Sequence, residues 1–243
     1  MIRVMQASWM ILASLFFATM SVCIKYASAH FGTFELVFYR GLIGMAFMGS
    51  MCRLQGVALR TPVPMMHIWR SAIGVTSLSA WFYAIAHLPL ATAMTLNYMS
   101  GVWVAAFLVG GTLVMGRLQD AVRQGPIALT VLAGFAGVIM ILRPTIEQNQ
   151  LFAGVVGLMS GLVAALAYMQ VAALGRIGEP ESRTVFYFSV GTTLTGLVGS
   201  LLMGFSTWTW PAVLWLLPVG LLAAGGQLCM TMAYSKGATL VVA

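Results

Sequence analysis

The sequence predicts an all-α integral membrane protein, a multi-span bundle of about eight complete membrane-spanning helices. Three observations carry this. Sixty per cent of the 243 residues are apolar and only 7% are charged, whereas a soluble domain carries about 25% charged residues. The apolar residues fall into eight continuous runs, each near the ~20 residues that a helix needs to cross a bilayer. The Lys and Arg residues sort to alternate sides of those runs, as the positive-inside rule describes.

The first run, 7–28, follows Arg3 and ends at Ala27-Ser28-Ala29. That pattern imitates a signal peptide, but the run is longer than a signal core, contains Lys25 and is followed by further runs. It reads as a retained first span. The others are 34–52, 68–87, 91–115, 125–143, 153–174, 184–205 and 212–234, separated by charged or turn-forming stretches. Their continuous apolarity, without alternation, favours helices over the strands of a barrel. With the N-terminus inside, the inner segments hold nine Lys and Arg (Arg3, Arg53, Arg60, Arg70, Arg117, Arg123, Arg176, Arg183, Lys236). The outer ends hold two, Lys25 and Arg143. This predicts a cytoplasmic N-terminus in a multi-pass membrane protein. Trp9, Trp69, Trp208 and Trp210 sit near span ends as interfacial anchors do.

Glycines such as Gly157 and Gly161, and those around Gly196–Gly199, are expected to let helices approach closely. Val37-Phe38-Tyr39 recurs as Val185-Phe186-Tyr187, each near the start of a span. The same offset lays span one on span six and span three on span eight. A five-helix unit, odd in number, reverses the orientation of its second copy, which makes an inverted repeat. The units would be 1–143 and 153–243. After span eight a new apolar run, Ala238-Thr239-Leu240-Val241-Val242-Ala243, begins and stops. The repeat reading therefore expects the second unit to be truncated, with two further helices of about 50 residues in the complete chain.

The chemistry is sparse. The five carboxylates (Glu35, Asp120, Glu147, Glu179, Glu181) fall in loops or at a span end, so no proton relay of the kind found in pumps is placed at mid-membrane. Facilitated movement or exchange is expected instead. Motifs for phosphate cradling or hydrolysis, GxxxxGK, HExxH and GxSxG, are absent. This predicts no enzyme, no cofactor and no metal. Cys23, Cys52 and Cys229 lack CxxC spacing and read as small apolar helix residues. His30, His67 and His87 read as interfacial. The net charge of +7 is dispersed rather than clustered, which excludes nucleic acid as a partner.

Arg40 falls about two turns into span two. It either anchors an anionic substrate group, such as a carboxylate, or is a structural charge that snorkels outward or pairs with Glu35. Lys25 reads as snorkelling. Polar and aromatic residues at span depth are Trp81 and Tyr83; Asn97, Tyr98 and Trp103; Tyr168 and Gln170; and Gln227. Amides at such depth need partners or a wet cavity. The candidate substrate-binding set is Arg40, Trp81, Asn97, Tyr98, Trp103 and Gln227.

Several segments resemble the drug/metabolite transporter superfamily, in its EamA-like branch. Phe38-Tyr39-Arg40-Gly41 is similar to that family's start of helix two, and 84–93 to its turn between helices three and four. Gly137 to Arg143-Pro144 is similar to its fifth-helix ending, and 233–238 to the matching turn of its second repeat. The sequence departs from the family at Gly101, where a proline is common, and at Gly116-Arg117, where Gly-Glu is common. The resemblance implies two inverted five-helix repeats about a central cavity with alternating access. It implies a secondary transporter, an exporter, of small organic metabolites such as amino acids or drugs. A non-transporting membrane scaffold or partner protein is the alternative, and a dry, packed centre would mark it. Small-molecule substrate and membrane lipid are the expected partners, with monomer and homodimer both open.

Overall fold

The computed structural model describes residues 2–116, 118–143, 145–207 and 210–236, with the side chains at 2–6, 118–121, 123, 141, 142, 211, 212 and 236 left aside. All regular structure among them is helical: α1 (Ile2–Ala27), α2 (Thr33–Leu54), α3 (Pro64–His87), α4 (Leu90–Val114), α5 (Leu118–Leu142), α6 (Leu151–Arg176), α7 (Glu181–Met203), the short α8 (Trp210–Val213) and α9 (Leu216–Lys236), with a 3₁₀ turn at Gln148–Gln150. Seven of the eight apolar runs lie on single helices to within two residues of their bounds, and the eighth, 212–234, is broken. Among the described residues, five stretches are long and apolar enough to cross a membrane: Ala7–Ala27, Leu90–Val114, Gln148–Arg176, Glu181–Met203 and Leu216–Ser235. The expected apolar run at 238–243 and the anchor Trp208 lie outside the described residues.

Two boundaries differ from expectation for identifiable reasons. The stretch 117–124 was expected to be a loop because it is charged, yet α5 already begins at Leu118. Charged residues are tolerated in the turns of a helix that project beyond the hydrocarbon. The run 212–234 is interrupted: α8 ends at Val213 and α9 starts at Leu216. Pro218 accounts for this. It cannot donate to the carbonyl of Leu214 and its ring crowds that carbonyl, so a helix continuous through 214 is disfavoured.

The bundle is built on long helix–helix contacts. α2 runs along α7, α1 along α9, and α3 along α6; α4 packs on α6, and α5 chiefly on α4. Small residues make the α2–α7 seam. A Cβ added at Gly196 would collide with the backbone of Phe38, and one at Gly41 with that of Thr193. At the α4–α6 crossing a Cβ on Gly161 would stand 2.6 Å from the Leu96 carbonyl oxygen. Such close approach gives dispersion contact that lipid cannot replace. The free cysteines Cys23, Cys52 and Cys229 are all buried.

Polar side chains tie the two ends of the bundle. At one end the Glu35 carboxylate accepts hydrogen bonds from the Ser206 backbone N–H (2.8 Å), the Ser206 hydroxyl (2.5 Å) and the Gly32 N–H (2.9 Å). Lys25, expected to snorkel, instead donates from Nζ to the carbonyls of Ile85 and Leu88, both at 2.8 Å. Those carbonyls end α3 without helical partners, and a cation suits the negative end of a helix. At the other end Glu179 receives the Thr61 hydroxyl, the Arg183 guanidinium (Nη1–Oε2 2.8 Å) and His67 Nε2 at 3.1 Å. His67, expected at an interface, is buried at 1% exposure and stacks on Tyr187 with centroids 4.6 Å apart. The reason is its position on the inner face of α3, opposite a carboxylate.

Replacing Gly196 by alanine forces the α2–α7 seam apart and should destabilise the folded protein by about 1–3 kcal/mol, the usual effect of overpacking. Thermal unfolding in detergent is the measurement; unchanged melting would mean the seam yields.

Candidate functional site

A cavity of about 540 Å³ lies among the helices, lined by residues of α1 through α7 and α9. That size suits a small organic molecule. Five of the six candidate residues line it: Arg40, Trp81, Asn97, Tyr98 and Gln227. Arg40 is 3% exposed, whereas Tyr98 at 38% is the most exposed of the five. Trp103 is not among the lining residues. Met94, Asn97, Tyr98, Ser100, Gly101 and Val102 form the cavity stripe of α4, and position 103 is turned about 100° from 102 and about 60° from 100, beyond both edges of that stripe. There Trp103 stacks on Phe107.

The site contains a cation that polarity alone had assigned to the inner interface. Arg70, six residues into α3, is buried at 3% exposure and lines the cavity. Its guanidinium turns inward rather than back toward the interface. Gly74, one turn further along α3, makes the path: a Cβ there would occupy the position of Arg70 Nη1. Helical side chains ordinarily lean toward the N-terminus, so this inward course needs the missing side chain. Arg70 Nη2 lies 3.4 Å from Gln227 Oε1, a long hydrogen bond.

Both guanidiniums sit on one ring. The Arg40 carbon is 5.3 Å from the Phe188 centroid and that of Arg70 is 4.3 Å from it, so the two carbons are at most about 10 Å apart. Cation–π attraction is worth up to about 2 kcal/mol in a desolvated setting. It offsets part of their mutual repulsion, about 1–2 kcal/mol at 10 Å with an effective dielectric near 20. No carboxylate among the described residues makes an ion pair with either arginine; Glu179 pairs with His67 and Arg183 instead. Glu35, the alternative partner for Arg40, is bonded to Ser206 and Gly32 instead. Arg40 Nε, Arg70 Nε and Nη1, and Trp81 Nε1 are buried without hydrogen-bond partners among the described residues.

Polar groups beside the cations are fixed from behind. The Ser77 hydroxyl donates to the Ser160 carbonyl (2.8 Å), and Asn97 Nδ2 lies 3.4 Å from Ser160 Oγ. Stacked Tyr168 and Tyr234, with centroids 5.3 Å apart, complete an aromatic wall with Phe17 and Trp81. Among the described residues no cluster of His, Cys, Asp and Glu has the makings of a metal site.

No family model matches the sequence. The pseudopaline exporter CntI of Pseudomonas aeruginosa is 34% identical over 239 residues, covering 96% of this chain and 79% of the exporter. The chain belongs to the family of this exporter. A riboflavin transporter of Rhizobium johnstonii is 27% identical over 237 residues, covering 96% of this chain and 75% of that protein. An uncharacterized transporter of Helicobacter pylori is 24% identical over 245 residues, 97% of this chain and 80% of that one. One protein of known crystal structure superposes with a TM-score of 0.77 at 18% identity, over 99% of this chain and 83% of that protein, which shows a shared fold. Members of the family are named as transporters, so this is a membrane transporter and not an enzyme, and a small molecule is its cargo.

Burial raises the Glu179 carboxyl, but hydrogen bonds from Thr61 and His67 and the charge of Arg183 outweigh it and hold the group below its ordinary value of 4.5. A depressed carboxylate contributes stability that is present above the unfolded value and lost as pH falls through the folded one. Melting should therefore fall on acidification below about pH 4.5. E179Q should lower stability near neutral pH by about 1.5–3 kcal/mol, the range for hydrogen bonds to a charged group, and flatten the acid dependence. An acid profile identical in wild type and E179Q would contradict this.

Proposed function

We propose that the protein is a secondary transporter that exports small organic metabolites across the bacterial inner membrane, by alternating access through the cavity between two inverted repeats. The observation that carries this is the cavity itself, lined from every membrane-length helix and holding buried polar and cationic groups. A scaffold would have a packed centre, which is the reading that a 540 Å³ cavity holding two buried arginines disfavours. The exporter named among the relatives supports the outward direction.

The repeat reading assigns α1–α5 to the first unit and α6, α7 and α9 to the second, in an EamA-like arrangement of the drug/metabolite transporter superfamily. Packing supports it. Exchanging α1 with α6, α2 with α7 and α3 with α9 turns the α1–α9 contact into the α6–α3 contact and leaves α2–α7 unchanged. All three are major contacts of the bundle. Phe188 is then the counterpart of Arg40, since Val37-Phe38-Tyr39 precedes one and Val185-Phe186-Tyr187 the other. The substrate-binding set we propose is Arg40, Trp81, Asn97, Tyr98 and Gln227, joined by Arg70. Trp103 supports the α4 wall from outside the cavity. Eight spans are proposed, including α2 and α3, whose charges Glu35, Arg40 and Arg70 are buried and so need not meet lipid.

The experiment is metabolite profiling of cells with and without the full-length protein, followed by transport in proteoliposomes. A class of metabolite should accumulate outside expressing cells, and R40A should reduce its movement at least tenfold while membrane insertion persists. Identical profiles with and without the protein would sink the transport reading. Because no carboxylate among the described residues lines the cavity, transport should proceed without an imposed proton gradient; a strict requirement for one would overturn the coupling. For orientation, a single cysteine at Thr207 should label from outside and one at Leu118 should not. The reverse pattern would place the N-terminus outside.

A further inference from the structure

We infer that the cargo site takes an organic dianion, a small molecule with two acidic groups on an apolar or aromatic body, one acid for Arg40 and one for Arg70. This rests on the cavity being the transport site. Two buried guanidiniums face one cavity, and no protein carboxylate among the described residues neutralises either. Arg40 Nε and Arg70 Nε and Nη1 have no hydrogen-bond partner among the described residues, and a guanidinium offers a fork of donors that a carboxylate or phosphate accepts in paired hydrogen bonds of about 2.7–2.9 Å. The shared Phe188 ring keeps the two cations within about 10 Å of each other. Acids paired with the two cations can therefore belong to one small molecule.

A single acid leaves one cation uncompensated, so two are required. Arg70 is held to this task by geometry rather than chance, because Gly74 opens its path inward and Gln227 meets its far nitrogen. The rest of the wall is not built for a bare inorganic ion. Phe17, Trp81, Tyr168 and Tyr234 present aromatic surface, which suits the carbon body of an organic molecule.

The test is binding to the purified full-length protein in detergent, followed by tryptophan fluorescence and thermal melting. Isophthalate carries two carboxylates, benzoate one, and isophthalamide has the same shape as isophthalate without charge. Sodium chloride is the ionic control. Isophthalate should bind at least tenfold more tightly than benzoate and raise the melting temperature, with isophthalamide inert. R40Q and R70Q should each reduce isophthalate to the affinity of benzoate. Should the glutamine variants fail to fold, R40K and R70K keep the charge and lose the fork. They should retain the preference for isophthalate over isophthalamide while weakening it at least threefold. Equal binding of isophthalamide and isophthalate overturns the inference, as does an equal response to chloride, which would mean an adventitious ion only. If neutral metabolites move through the protein and isophthalate has no advantage, the dianion falls and the transport reading stands. If no metabolite moves and no compound binds, both fall.

Discussion

A guanidinium at the depth of a bilayer cannot face lipid, and the bundle is arranged around two of them. An arginine at the centre of a helix costs about 2.5–3.5 kcal/mol to insert, so Arg40 and Arg70 must point inward and be enclosed. The α2–α7 seam does this for Arg40. Gly41 and Gly196 bring the two helices into backbone contact, and that proximity places Phe188 of α7 under the Arg40 guanidinium of α2. α3 brings Arg70 to the same ring. The cavity is the space these demands leave between the helices.

The distribution of opposite charge follows a related logic. Glu35 is committed to Ser206 and Gly32 at one end of the bundle. At the other end, Glu179 is committed to Thr61, His67 and Arg183, and Glu181 accepts the Ser235 hydroxyl at 3.0 Å. These acids close the ends by joining loops to neighbouring helices. Arg40 and Arg70 stand in the middle of the bundle, while Glu35, Glu179 and Glu181 are held at its rims.

Most of the architecture was legible because lipid leaves so few options: a continuous apolar run of about 20 residues can only be a helix. The site was legible where a residue's type contradicts its depth, as with Arg40, Asn97 and Gln227. It was not legible where depth was ambiguous or the face mattered. Arg70 lies six residues from Pro64, close enough to the end of α3 to be counted with the interfacial cations. The available signal was the spacing Arg70, Gly74, Ser77, Leu78, Trp81, a single helical stripe that lines the cavity and marks its inward face. Trp103 lies off the cavity lining for the opposite reason: its depth matches, but no residue-type argument reports the rotation that turns it off the cavity stripe. His67 and Lys25 look like interfacial residues in sequence, and only tertiary contact shows the carboxylate and the helix end that hold them.

Family membership fixes the class of activity and leaves the cargo to the cavity side chains. Relatives bear the names of two different cargoes, pseudopaline and riboflavin, on chains that align over nearly all of this one. Discrimination must then come from a few groups in a common frame. In this chain the apolar and aromatic wall can select only weakly, since a methylene more or less in such a pocket is worth about 1–3 kcal/mol. In the proposed site the two guanidiniums would be the strong selectors. A ligand that leaves them unpaired forfeits hydrogen bonds to charged groups, each worth about 1.5–3 kcal/mol, and a cationic ligand adds repulsion from both. Rejection of the wrong charge thus does more to define the cargo than shape does, and the glycine at 74 that directs Arg70 inward is as much a part of that selection as the arginine.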